Sequence, residues 1–71
     1  MLTYTERKFI EKNCLDFSNG YAETTTKSGK TAIIQGNWNC GSHFSLWVVE
    51  DRKMVCTRAR LETIIAKLQT L

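Results

Sequence analysis

The only histidine of this 71-residue chain, His43, follows Cys40 by three residues, a spacing that could set a base beside a nucleophilic thiol. A working Cys–His pair also needs a third group to orient the imidazole, and the segment supplies none. Together with Cys14 and Cys56 the same two residues make a nominal three-cysteine, one-histidine set for zinc, a metal that steadies small cores. Zinc sites of that kind bring two close ligand pairs, whereas here Cys40-x-x-His43 is the one pair. Cys14 and Cys56 fall at apolar-patterned positions, where a free thiol behaves as a small hydrophobe. Glu50 and Asp51 are neighbours in a turn, so their carboxylates diverge rather than share a proton. Lys27-Ser28-Gly29-Lys30 lacks the spacing of a phosphate-binding loop and reads as a hairpin turn. No catalytic residue, metal or cofactor is expected, and the chain does not read as an enzyme.

Binding chemistry is better represented. Four of the 10 Lys+Arg, Arg52, Lys53, Arg58 and Arg60, fall close together near the end of the chain. A helix expected to begin near Thr57 puts Arg58 and Arg60 in its first turn, where the macrodipole disfavours cations. Free amides, dipole and guanidinium groups would converge there as an anion site. Trp38 sits in a segment of glycine, asparagine and serine, and Trp47 and Val49 share one side of the apolar strand that follows. Tryptophan and arginine are the side chains that most often anchor interfaces. Trp38, Trp47, Val49, Arg52, Lys53, Arg58 and Arg60 are therefore the candidate partner-binding residues.

The elements that must position them follow from periodicity. Thr3-Tyr4-Thr5-Glu6 matches a capping box and opens a first helix, with Phe9, Ile10 and Cys14 on its apolar stripe, Phe17 above them and Arg7 able to pair with Glu11. Ser18-Asn19-Gly20 is expected to stop it. Tyr21–Thr26 and Thr31–Gln35 read as strands joined by the glycine turn at Gly29. Gly36–Ser42 reads as a loop, and strand character returns at His43. Phe44, Leu46 and Val48 alternate with Ser45, Trp47 and Val49, and Glu50–Lys53 turns the chain into Met54-Val55-Cys56. Leu61, Ile64, Ile65, Leu68 and Leu71 then follow the spacing of an amphipathic helix.

The expected fold is α+β over residues 1–71 as a single small domain: helix, three or four antiparallel strands, helix, in two layers with both helices on one face of the sheet. Because strand 43–49 is apolar on both sides, the face turned away from the helices must carry Trp47 and Val49, and exposed apolar patches mark partner sites. The same element order occurs in double-stranded RNA-binding domains, a resemblance of layout that implies phosphate contacts at the second helix start. The chain has neither the dense lysine cluster nor the Gly-Pro-x-His loop of those domains, and no family is identified.

A balance of 10 Lys+Arg against 7 Asp+Glu is mildly basic and sets up only a modest field for a phosphate backbone. No stretch is long and apolar enough to span a membrane, and the start of the chain lacks the apolar run of a secretory signal. Three cysteines at wide spacings do not make an even disulfide framework, so a reduced cytoplasm is the expected location. The expectation for function is an interaction protein, a small inhibitor, adaptor or regulator of the kind bacteria and their phages encode, with a protein partner. The alternative is a nucleic-acid-binding module holding phosphates at the second helix, and a homo-oligomer is a further expectation for so small a core.

Overall fold

The computed structural model describes residues 2–37 and 42–71. It contains, in chain order, α1 (Tyr4–Lys12), β1 (Tyr21–Thr25), β2 (Thr31–Asn37), β3 (Ser42–Val48), β4 (Lys53–Ala59) and α2 (Leu61–Leu68). The four strands form one antiparallel sheet in the order β1-β2-β3-β4, so each neighbour in sequence is a neighbour in space. Both helices pack on one face, and the expected α+β layout holds with four strands. Among the described residues no helix is long and apolar enough to cross a membrane.

The core is the inner face of the sheet closed by the helices. Ala32 and Ile34 of β2, Phe44 and Leu46 of β3, and Leu61 and Ile64 of α2 are all completely buried. Phe17 meets Phe44 edge to face, with ring centroids 6.0 Å apart and planes at 68°, a geometry that matches the ring quadrupoles. Gly36 makes room for that pair: a Cβ on Gly36 would stand 2.9 Å from Phe44 Cγ, so only glycine lets β2 lie under the ring. Gly36 and Asn37 thus belong to β2 and Ser42 to β3, and the segment read as a loop from Gly36 to Ser42 is shorter than its composition implied.

The start of α1 follows the capping box: the Glu6 amide donates to Thr3 Oγ1 at 3.2 Å and the Thr3 amide to Glu6 Oε1 at 2.7 Å. Its end comes early. The helix closes at Lys12, with Cys14 at φ 52° donating to the Glu11 carbonyl and Leu15 donating to that of Ile10. That is the Schellman pair of bonds, usually built on glycine. Cys14 is therefore exposed rather than part of the stripe, and Leu15 and Phe17 reach the core from a loop. Glu11 pairs with Lys8 at 3.6 Å, one residue closer than the expected Arg7.

The second helix also differs from expectation. Thr57–Ala59 continue β4, and α2 begins at Leu61 with Arg60 as an extended N-cap residue. Two irregularities explain the extra length of β4. Leu46 faces Cys56 while Trp47 faces Met54, and Phe44 faces Ala59, so β4 holds one surplus residue in each interval. These are β-bulges, and the second places Arg58 at φ 49°.

Candidate docking surface

Alternation along the strands decides which side chains point away from the helices. With Phe44, Leu46 and Val48 at 0% exposure on one side of β3, and Phe44 and Leu46 in the core with α2, Trp47 must lie on the outer face. The pairing register then gives its neighbours. Trp47 stands between Ile33 of β2 and Met54 of β4, and Ile33 stands next to Glu23 of β1. A second row runs from Tyr21 through Gln35 to Ser45, ending at the Thr57–Arg58 step of the bulged strand. No helix or loop among the described residues covers these rows. Met54 and Tyr21 are each 43% exposed and Val49 39%, while Ile33 and Trp47 are shielded in part by their sheet neighbours.

The basic residues lie along β4 and at its two ends. Arg52 closes the β3–β4 turn at φ 48°, donating its amide to the Val49 carbonyl at 3.1 Å. Lys53 opens β4 opposite Val48, on the helix side of the sheet, Arg58 occupies the bulge opposite Ser45, and Arg60 precedes α2. All four are exposed, and none forms an ion pair with a described residue. The carboxylates beside them are engaged elsewhere. Glu50 accepts from the Thr31 amide at 2.7 Å and from Thr31 Oγ1 at 3.1 Å, and Asp51 meets Lys30 Nζ at 2.9 Å. The Thr31 amide holds the Glu50 carboxyl below its ordinary value. This tie contributes above the ordinary carboxylate range and is lost as pH falls through the lowered value.

The anion site expected at the start of α2 is already filled by the chain itself. Arg60 makes no side-chain cap. Instead Glu6 of α1, completely buried, accepts from the Glu62 amide through Oε2 at 2.9 Å while its Oε1 accepts from the Thr3 amide. Thr3 Oγ1 closes the ring by donating to Glu62 Oε1 at 2.9 Å. One carboxylate thus caps both helices, placed where both dipoles favour a negative charge. Arg58, in a strand, takes no part, so Arg58 and Arg60 do not meet on a helical turn as their spacing suggested.

Of the residues expected in the surface, Trp47 lies on the outer face with Val49 at the turn beside it, Arg52, Lys53, Arg58 and Arg60 follow along β4 and its ends, and Trp38 lies outside the described residues. Cys40, half of the Cys–His pair, lies outside them as well. His43 is exposed at the start of β3 with φ 63°. Cys56 leans on the core while Cys14 faces solvent, and no group of three or more potential metal ligands occurs among the described residues. Ile33, Met54, Tyr21 and Glu23 join the surface only through the register. A signal for Ile33 was available, because Ala32-Ile33-Ile34 is apolar on both parities just as strand 43–49 is. Comparison with protein-family models, curated proteins and solved structures returned no match.

Proposed function

We propose that the chain is a non-enzymatic interaction protein, a small inhibitor, adaptor or regulator of a larger protein or nucleoprotein machine, which it grips with the outer face of its sheet. The observation that carries this reading is the uncovered row Ile33–Trp47–Met54 beside a strand whose bulge and ends carry exposed cations that no described carboxylate pairs. A desolvated aromatic centre with a charged border is the usual anatomy of an interface hot spot. A protein partner fits better than a nucleic acid. The amide at the start of α2 that would hold a phosphate is spent on Glu6, and an apolar row of isoleucine and methionine around one tryptophan is not a ladder of stacking rings.

The test has two arms. Affinity capture from cells encoding the chain identifies a candidate partner, and the purified pair is then titrated with wild type and Trp47→Ala. The variant is expected to keep its fold, with a stability change within about 1 kcal/mol, and to lose at least about tenfold in affinity. Unfolding of Trp47→Ala, or unchanged affinity, would sink the reading. In parallel, labelled single- and double-stranded oligonucleotides are titrated at low and moderate salt. Submicromolar binding that weakens steeply with salt would make nucleic acid the primary ligand instead.

A further inference from the structure

We infer that the outer face is self-complementary and that a second copy of this chain occupies it when no other partner is bound; the inference rests on that face being a docking surface. Its central row runs Glu23, Ile33, Trp47, Met54 from β1 to β4. Laying a second sheet face-down about a two-fold axis parallel to the strands reverses the strand order, so β1 of one copy lies over β4 of the other and β2 over β3. Trp47 then packs on Ile33 of the other copy, and the symmetry repeats the contact. Glu23 descends onto Met54, one row from Arg58 on the basic side of the face. Tyr21, 43% exposed, comes over the Arg58 guanidinium, the arrangement of a cation–π pair. A two-fold axis across the strands does the opposite: it sets β1 on β1 and β4 on β4, so that the Glu23 carboxylates gather on one side and the Arg58 guanidinium groups on the other with no opposite charge in reach, and like charges disfavour it. The charge pattern therefore selects one arrangement of one occupant.

The sheet edges offer no comparable route. β4 is broken by two bulges and bordered by cations, which blunts strand addition. β1 is regular but carries Glu23 at its centre, so pairing β1 with β1 about its middle would again oppose two carboxylates. Strands spaced about 4.8 Å apart and rising about 3.3 Å per residue give the face a footprint of about 400 Å². That is the low end for a specific interface. The expected dimer is therefore weak enough for a better partner to displace, and self-association becomes a concentration-dependent mask over the docking surface.

Sedimentation equilibrium on the full chain tests this. The apparent mass is expected to rise from 8.2 kDa toward twice that value with increasing concentration, with a dissociation constant of about 1–100 µM. Glu23→Arg should raise that constant at least about tenfold, and adding Arg58→Glu should restore it to within about threefold of wild type. Circular dichroism confirms that each variant is folded, and the restoration by charge exchange is something a merely structural role would not produce. The inference is overturned if the chain stays at 8.2 kDa throughout, or if a dimer forms that Glu23→Arg and Trp47→Ala leave unchanged. A monomeric chain leaves the docking reading intact, since that reading fails separately, when Trp47→Ala does not weaken binding of the purified partner.

Discussion

On one side of β3, Phe44, Leu46 and Val48 are fully buried, the first two in the core with α2, whereas on the other Trp47 is shielded only in part and Met54 beside it is 43% exposed. The contrast extends to polar groups. Toward the helices even a completely buried carboxylate, Glu6, has a backbone amide on each oxygen, and no buried side-chain polar atom among the described residues lacks a partner. On β4 and at its ends, by contrast, no described carboxylate pairs with Arg52, Lys53, Arg58 or Arg60. A domain of this size has little stability to spare, so its closed side must be complete. Its open side is under no such demand, and apolar side chains kept there are better explained by recognition than by folding.

The comparison breaks most visibly at Phe44. Phe44→Ala removes the ring that fills the space over Gly36 and meets Phe17, and it should destabilise the domain by about 3–5 kcal/mol. That equals the whole stability expected of a core this small. Thermal unfolding followed by circular dichroism should show no cooperative transition for this variant, while Trp47→Ala, one strand face away, melts near wild type. A cooperative wild-type-like melt of Phe44→Ala would show that the inner face is not where stability resides.

Glu6 comes next. Glu6→Ala strands the Thr3 and Glu62 amides together and empties a buried site, with an expected cost of about 2–4 kcal/mol. Glu6→Gln keeps the shape and one good acceptor but turns an NH₂ group toward the other amide, so about half that loss is expected. Urea unfolding of the two variants measures both numbers. If Ala and Gln cost the same, the second amide contributes nothing and α2 is capped by other means.

Much of this was legible in the residues. The parity of Phe44, Leu46 and Val48 against Trp47 chose the right face, the Leu61, Ile64, Leu68 stripe placed α2 on the core, and Thr3–Glu6 marked the start of α1. What escaped were features without a local signature. The Schellman turn after α1 is built on Cys14 and the β4 bulge on Arg58, so neither carried the glycine or asparagine that flags a left-handed residue. Val55 and Cys56 both lean on the core because a bulge resets the alternation, and a period-2 reading therefore lost β4 at its midpoint. The cap of α2 comes from a residue 56 positions away. Its absence at Arg60 was the one clue that an acceptor had to arrive from elsewhere.

The smallest effect on folding is expected at Arg58, and for that reason it separates the two sides most cleanly. At φ 49° an arginine costs about 1 kcal/mol that glycine does not. Glycine in turn gains a similar amount of freedom in the unfolded chain. Arg58→Gly should accordingly leave stability within about 1 kcal/mol of wild type, while it deletes a guanidinium that no described carboxylate neutralises. A position where glycine would serve the backbone equally well, yet which holds a long cation at the edge of an exposed aromatic row, points to use of the side chain. Measured against the purified partner, Arg58→Gly should lower the association rate several-fold and flatten its salt dependence, the signature of a border charge that steers encounter. Unchanged kinetics would remove Arg58 from the docking surface and confine recognition to Trp47 and its apolar neighbours.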